Sequence, residues 1–386
     1  MIIGIDGNEA NIKNRVGVGQ YAFNLLKNLY LLDKKNQYII YLKNKPLSDL
    51  PKETKNWRYK VFGPQKLWTK IALPFHLFTQ SEKLNLFYSP SHYSPSISPC
   101  PTIPTIHDLG YLSFQNQFTK KDLYQLINWT KKSLKKAAHI ITVSNFSKTE
   151  LERIYKINPN KITIAYNGVG EPLKIDSVTQ QKILSTYSLK TKNYYLYLGT
   201  LKPNKNIPFL IKAFSKYLKI KKITPCPVKG RVEEGFVPKL VIAGKKGWLF
   251  DEIFTTVKQE GIEKNVIFTD FIDEAQKWTL YSNASALIMP SLYEGFGIPV
   301  IEAMKINTPI ISSNIDPLQE VIQTCAFYFD PHNQKNLIDQ LIKFNKTPPS
   351  EIKKMTELAK TRADYFNWIN TAKSALSVFK KFENKS

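Results

Sequence analysis

Arginine is scarce in this chain of 386 residues, although its composition is strongly basic. The 55 Lys+Arg residues exceed the 31 Asp+Glu residues and give a formal net charge of +24. The arginines are Arg15, Arg58, Arg153, Arg231 and Arg362. Because nucleic-acid readout relies on the planar guanidinium, a lysine excess spread over both halves favours a solvated basic surface, and we expect no nucleic-acid partner.

Cysteine is equally scarce, and long apolar runs are lacking. Cys100, Cys226 and Cys325 are odd in number and far apart, which argues against a disulfide framework and fits a reducing compartment. The chain begins directly with a strand-like segment, and no apolar run reaches the roughly 18 residues that span a bilayer. We therefore expect a cytoplasmic protein without a signal peptide or a membrane span.

The sequence also lacks the patterns that hold metal ions. His76, His92, His139 and His332 show no ligand spacing, and no two aspartates stand in a D-x-D arrangement. We expect no metal site and no cofactor.

What the chain has is an alternation of short apolar runs with amphipathic segments, which predicts parallel sheets covered by helices. The runs "IIGID", "QYIIYL", "LNLFYSP", "TIPTIHD", "HIITVS" and "KITIAYNG" are strand-like in the first half. The pattern restarts with "YYLYLG", "KLVIAG", "VIFTDF", "ASALIMP", "PIISS" and "AFYFD". We predict an α/β fold with domains over residues 1–172 and 193–363, a C-terminal helix over 364–386, and a surface insertion from Lys221.

Two features of the first half are candidate ligand contacts. Gly17 and Gly19 follow the first strand and open the first helix, where glycine lets a backbone approach an anion closely. A tight loop without a ligand explains two glycines equally well. His107 ends a strand and faces the expected ligand crevice, where it can donate to a sugar hydroxyl or a phosphate oxygen.

Two loops of the second half carry lysines beside expected helix N-termini. "GTLKPNKN" presents Thr200, Lys202 and Lys205, and "AGKKGW" presents Gly244 and Lys245. A lysine near a helix N-terminus adds a charge where the backbone already favours anions, although the Walker spacing is lacking.

The stretch "EGFGIPVIE" places Glu294 and Glu302 on either side of a strand-to-helix turn. We expect Glu302 in the first turn of a helix that starts near Pro299, where a carboxylate can accept from both hydroxyls of a ribose. Gly295 and Gly297 leave N–H groups uncovered to meet phosphate or sugar oxygens. Ordinary glutamates favoured by the helix dipole are the alternative for an isolated pair of this kind.

Six motifs in register resemble those of one enzyme family. "EGFGIPVIE", "GTLKPNKN", "LVIAGKKGW", "ITVSNFSKTEL", "YNGV" and "HDL" are similar to motifs of the retaining glycosyltransferases of family 4. The resemblance covers nearly the whole chain, including the C-terminal "YFNWINTAKSAL". It implies the GT-B fold, with two facing Rossmann-like domains and a C-terminal helix that crosses back to the first.

The resemblance also implies roles for individual residues. Glu302 would bind the donor ribose and Lys205 the diphosphate, with His107 beside the transferred sugar. Glu294 and the backbone around Phe296 would contact the donor sugar. Many relatives have an arginine where this chain has Thr200, so the resemblance does not supply a second cationic phosphate contact here, and Lys245 is the candidate substitute.

We interpret the chain as a metal-independent hexosyltransferase that uses a nucleotide diphosphate sugar and retains configuration. Mannose is one candidate sugar, and a glycan or lipid-linked molecule of the cell envelope is the expected acceptor. A nucleotide-sugar epimerase of the same fold and a catalytically silent nucleotide-sugar-binding protein are the alternatives.

Residues 119–137 predict an amphipathic helix with a lysine face. Its apolar residues fall on one side, and its lysines fall on the other. The lysine side of this helix suits an anionic membrane surface. The apolar stretch "KLWTKIALPFHLF" from Lys66 is a second candidate for contact with the membrane. We expect peripheral attachment to the inner face of the membrane, with a merely solvated face as the alternative.

Overall fold

The computed structural model describes residues 1–223 and 237–383. The chain forms two compact units. Unit 1 comprises Met1–Gly168 together with the segment from Phe366 onward, and unit 2 comprises Val169–Tyr365. Most of the insertion expected from Lys221, including Cys226 and Arg231, lies outside the described residues.

Unit 1 is built on a seven-stranded parallel sheet with the order β3-β2-β1-β4-β5-β6-β7. The strands are β1 (Ile2–Asp6), β2 (Gln37–Leu42), β3 (Trp57–Val61), β4 (Leu86–Ser89), β5 (Thr102–Ile106), β6 (Ile140–Thr142) and β7 (Ile162–Ile164). The helices are α1 (Val18–Leu32), α2 (Ala72–Thr79), α3 (Gly110–Ser113), α4 (Lys120–Lys136), α5 (Asn145–Tyr155) and α14 (Trp368–Lys380). The central strands are buried on both faces, as expected for a parallel sheet between helices.

The C-terminal helix α14 packs within unit 1. Its Thr371 hydroxyl donates to the Tyr166 carbonyl over 2.6 Å, and its Phe379 ring lies 5.3 Å from that of Tyr88. Gly168 allows this approach, because a Cβ atom there would come within 2.3 Å of the Trp368 nitrogen. The apolar face of α14 is therefore buried, which explains why the chain returns to this unit after Tyr365.

The described part of unit 2 contains a six-stranded parallel sheet with the order β10-β9-β8-β11-β12-β13. The strands are β8 (Tyr194–Leu198), β9 (Lys239–Ala243), β10 (Val266–Asp270), β11 (Ala286–Met289), β12 (Ile310–Ser313) and β13 (Phe327–Phe329). The helices are α6 (Ser177–Thr186), α7 (Ile207–Ile223), α8 (Asp251–Glu260), α9 (Glu274–Asn283), α10 (Ile298–Lys305), α11 (Asp316–Ile322), α12 (Gln334–Lys346) and α13 (Pro349–Ala363).

The α/β class with two Rossmann-like units is confirmed. In both sheets the chain first winds outward over three strands and then reverses to the other side, which is the doubly wound order. The twelve apolar runs singled out in the sequence all contain strands. The sequence analysis missed β3, whose residues are mostly half-buried because, among the strands that the structure describes, this edge strand pairs with β2 alone.

No helix within residues 1–223 and 237–383 has the length and apolar character needed to cross a membrane.

Candidate active site

The crevice for a ligand in unit 2 is set by the strand order. β8 and β11 are neighbouring parallel strands at the centre of the sheet. After β8 the chain continues to β9 on one side of this pair, and after β11 it continues to β12 on the other side. This reversal point is where open parallel sheets bind ligands. We call residues 199–206, which follow β8, the lysine loop, and residues 290–297, which follow β11, the glutamate loop.

Backbone and amide hydrogen bonds hold the two loops against each other. The Leu292 N–H donates to the Asn204 carbonyl over 2.9 Å, and the Asn204 side-chain amide donates to the Tyr293 carbonyl over 3.3 Å. Asn206 then takes a left-handed conformation with φ of 58° and donates to the Pro331 carbonyl over 2.9 Å. These bonds fix where the side chains of both loops project.

Lys205 and Glu294 form an ion pair across the two loops. The Lys205 Nζ atom lies 2.6 Å from Glu294 Oε1, and the Ser291 hydroxyl donates to the same oxygen over 2.7 Å. Glu294 is 8% exposed and Ser291 is fully buried. Burial of Tyr197, together with the Glu294 charge, raises the pKa of that phenol well above its usual value. Two of the three predicted catalytic residues, Lys205 and Glu294 but not His107, are thus brought together, with Ser291 as a partner that the sequence analysis did not identify.

Glu302 is held by two donors from α9. The Lys277 Nζ atom lies 2.8 Å from Glu302 Oε1, and the Tyr281 hydroxyl donates to Oε2 over 2.9 Å. Burial disfavours the charge of Lys277, yet the carboxylates of Glu302 and Glu274 raise its pKa above the ordinary value. Burial raises the pKa of Tyr281 well above 10, so the phenol remains a donor.

The position of Glu302 in its helix differs from the expectation. Helix α10 begins at Ile298, so Glu302 is its fifth residue and lies beyond the first turn. The helix starts earlier because Gly297, with φ of 99°, is its N-cap and Pro299 follows in the first turn. The prediction of a first-turn carboxylate is therefore wrong, and Lys277 and Tyr281 place the side chain instead.

The remaining residues of the glutamate loop pack closely. Phe296 is buried, and Gly295 is half-buried. A Cβ atom on Gly297 would come within 2.6 Å of Leu318, so this position has no room for a side chain in addition to requiring a positive φ.

The loop after β9 lies beside the lysine loop. The Leu201 N–H donates to the Lys245 carbonyl over 2.9 Å, and a Cβ atom on Gly244 would come within 2.1 Å of the Gly199 carbonyl oxygen. Thr200 is half-buried, whereas the Lys245 side chain is exposed. The backbone of Lys245 is thus joined to the lysine loop, and its role as a substitute phosphate contact stays a prediction.

The other predicted site residues lie in unit 1. His107 Nε2 lies 3.0 Å from the Pro90 carbonyl, and its backbone N–H donates to His92 Nε2 over 3.2 Å. Burial, reinforced by His92, lowers the pKa of His107 from 6.5 to about 4. A carbonyl only accepts, so the neutral ring donates through Nε2 and presents Nδ1 as an acceptor. The ring donor expected for a sugar hydroxyl is therefore engaged within unit 1.

The glycine loop of unit 1 opens α1 as expected. Gly17 is the N-cap of this helix with φ of 49°, and a Cβ atom on it would meet nothing within 4 Å. Gly19 is buried, and a Cβ atom there would lie 3.2 Å from the Glu9 carbonyl oxygen. Gly17 thus offers open backbone, whereas Gly19 serves the packing of the loop.

Two family models cover most of the chain. The model described as Glycosyltransferase Family 4 matches residues 17–170, and that described as Glycosyl transferases group 1 matches residues 180–362. The chain belongs to the glycosyltransferases of the family 4 type.

Two mannosyltransferases are among the relatives of this transferase. O-antigen chain mannosyltransferase B of Escherichia coli is 25% identical over 296 residues, which cover 76% of the transferase and 74% of that protein. O-antigen chain mannosyltransferase RfbU of Salmonella typhimurium is 29% identical over 232 residues, which cover 60% of the transferase and 57% of that protein.

Solved structures confirm the GT-B fold of the transferase. Sucrose-phosphate synthase from Thermosynechococcus elongatus superposes with a TM-score of 0.75 at 17% identity, over 100% of both chains. WaaG, a glycosyltransferase involved in lipopolysaccharide biosynthesis, superposes with a TM-score of 0.72 at 13% identity, over 98% of this chain and 99% of its own.

Within the described residues of the transferase, no group of three or more His, Cys, Asp or Glu side chains is arranged to hold a metal ion.

Proposed function

We propose that this transferase moves a hexose, with mannose as the first candidate, from a nucleotide diphosphate sugar to a glycan or lipid-linked acceptor with retention of configuration. The names of the two relatives, both O-antigen chain mannosyltransferases, support mannose and the synthesis of a cell-envelope polysaccharide. The resemblance to retaining enzymes supports retention. The observation that carries the proposal is the ion pair of Lys205 with Glu294 in the loops that follow β8 and β11, with Glu302 on helix α10 directly after the glutamate loop.

Charge development at the leaving group explains why a lysine belongs at this point. Negative charge collects on the nucleoside diphosphate as the sugar departs, and a cation held close to it stabilises the transition state. Lys205 precedes α7, and the N–H groups at the start of that helix favour anions as well. An ammonium has three N–H donors, so Lys205 can contact Glu294 and a diphosphate at the same time.

The glutamates suit the two polyhydroxylated parts of such a donor. A carboxylate has about four lone-pair positions, and Lys277 and Tyr281 occupy one on each oxygen of Glu302. The remaining positions match the two hydroxyls of a ribose. Glu294 lies in the loop beside Lys205, where it can contact the sugar attached to the diphosphate.

A donor panel followed by product analysis tests the proposal. Thermal unfolding is measured with guanosine, uridine and thymidine diphosphate sugars, since binding raises apparent stability by mass action. The stabilising donor is then incubated without acceptor. Slow release of free sugar with retained configuration is the expected result. Accumulation of an epimerised donor would identify an epimerase, and binding without any turnover, with or without acceptor, would identify a silent binding protein.

A further inference from the structure

Large apolar side chains lie exposed along α2 and the turn before it. Leu67, Ile71, Phe75 and Phe78 are exposed by 51%, 58%, 70% and 55%. Phe75 and Phe78 are three residues apart and share a side of α2, whereas Leu67 and Ile71 lie in the turn before it. The opposite side of α2, with Leu73 and Leu77, is already buried in the core of unit 1. The exposed stripe therefore is the side of α2 that unit 1 itself does not cover.

Helix α4 presents a basic surface. Its apolar side packs on the core through Leu126, Ile127 and Leu134, and Thr119 caps its N-terminus. The exposed lysines on it are Lys120, Lys121, Lys131, Lys132, Lys135 and Lys136. The separation of apolar and basic sides expected from the sequence is present in this helix.

The structure brings these two segments together. The Lys70 Nζ atom lies 3.4 Å from the centre of the Trp129 ring of α4, and burial together with the Lys132 charge lowers the pKa of Lys70. The Ser96 hydroxyl donates to the Lys70 carbonyl over 2.8 Å, and the Lys136 ammonium donates to the Ser96 carbonyl over 2.5 Å. Ile97, the residue after Ser96, is 55% exposed.

We propose that the apolar stripe of α2 and the lysines of α4 form one docking surface for an anionic lipid bilayer. Apolar side chains that enter the interfacial region and lysines that meet anionic headgroups together give peripheral attachment. A protein partner fits this surface less well, because lysine is depleted at protein interfaces. This inference rests on the proposed function and extends it. A lipid-linked acceptor lies in the bilayer, so a surface that binds the bilayer would bring the enzyme to its acceptor.

Sedimentation of the full chain with vesicles tests this surface. The vesicles are phosphatidylcholine with or without phosphatidylglycerol, at low and high salt. Two variants are compared with the wild type. One is a double variant with Phe75→Ala and Phe78→Ala. The other is a triple variant with Lys131→Gln, Lys132→Gln and Lys135→Gln. Each variant has a matched control at exposed positions of unit 2. The apolar control carries Val178→Ala and Leu358→Ala, and the lysine control carries Lys353→Gln, Lys354→Gln and Lys360→Gln.

We expect the wild type to sediment with anionic vesicles at low salt and to be released at high salt. Each lysine charge contributes roughly a fivefold change, so the triple lysine variant should lose roughly a hundredfold in partitioning. The double phenylalanine variant should lose roughly tenfold. Both controls should partition like the wild type.

Three results would overturn the docking surface. They are failure of the wild type to bind anionic vesicles at low salt, equal binding by the variants and their controls, and a vesicle-independent dimer that the phenylalanine variant dissociates. Acceptor-free donor hydrolysis separates this inference from the proposed function. The docking variants should hydrolyse donor at the wild-type rate, whereas a wild type without hydrolysis or transfer would contradict the proposed function alone.

Discussion

The ammonium of Lys205 lies 2.6 Å from the carboxylate of Glu294, although the two residues are 89 positions apart in the chain. Lys205 lies in the loop after β8 and Glu294 in the loop after β11, and these two strands are parallel neighbours in the sheet. Their side chains are only 17% and 10% exposed, so each charge depends on the other for its solvation. The pair links the group proposed to stabilise the diphosphate with the group proposed to contact the sugar.

The two glutamates should affect different kinetic constants. Glu302→Ala should raise the donor KM by tenfold or more, because it removes the proposed charged contact to the nucleotide, and such a contact is worth about 1.5–3 kcal/mol. Glu294→Ala should lower kcat about a hundredfold with a smaller effect on KM, because Glu294 is proposed to contact the reacting sugar. Steady-state kinetics with varied donor measure both. Glu252→Ala, at an exposed position in α8, is the control. Wild-type kinetics in both variants would show that neither glutamate contributes to donor binding or turnover.

Lys277 should act through Glu302 as a positioning residue. Lys277→Met leaves Glu302 with the Tyr281 hydroxyl as its remaining described donor, so the carboxylate is less well oriented. We expect the donor KM to rise roughly five- to tenfold while kcat changes less than twofold. Tyr281→Phe should act in the same direction.

Donors that lack ribose hydroxyls distinguish positioning from general destabilisation. If Lys277 orients Glu302 toward the ribose, the penalty of Lys277→Met should shrink with 2′- and 3′-deoxyribose donors. An equal penalty with all donors, accompanied by a lower unfolding temperature, would indicate a purely structural role.

Acidification should destabilise unit 1 through His107. Its pKa of about 4 in the folded protein lies below the ordinary 6.5, so the unfolded chain binds more protons between these values. The contribution of His107 is complete above pH 6.5 and decreases as the pH falls toward 4, by up to roughly 1.4 kcal/mol per pH unit. Chemical denaturation at pH 7 and pH 5 measures it.

His107→Gln should therefore lose less stability on acidification than the wild type does. His332→Gln, at an exposed position, is the control and should follow the wild type. An unchanged pH dependence in His107→Gln would show that the ring is not held neutral by the fold.

The sequence predicted the strands of both sheets well, because buried parallel strands are short apolar runs between helices. It did not predict β3, since an edge strand with polar residues has no such pattern. It also placed Thr200, Lys205 and Glu294 on the correct loops, because those loops follow strands that end at one edge of the sheet.

The contacts between helices could not be predicted from the sequence. Lys277 and Tyr281 are four residues apart and share a side of α9, but only the packing of α9 beside α10 places them on Glu302. The early start of α10 was missed for a similar reason, because Gly297 rather than Pro299 determines where the helix begins. The apposition of Lys70 and Trp129 likewise joins segments that look independent in the sequence.

The central claim is that Lys205, without a metal ion, stabilises the departing diphosphate. The transfer rate measured with and without a chelator of divalent ions, for the wild type and for Lys205→Ala, tests it most directly. Lys219→Ala, at an exposed position in α7, is the control, and circular dichroism verifies that each variant is folded. We predict that the wild type and the control stay active in chelator. Lys205→Ala should lose about a hundredfold or more in either condition, which corresponds to about 2–4 kcal/mol of transition-state stabilisation. Loss of wild-type activity in chelator, restored by manganese or magnesium, would contradict the account.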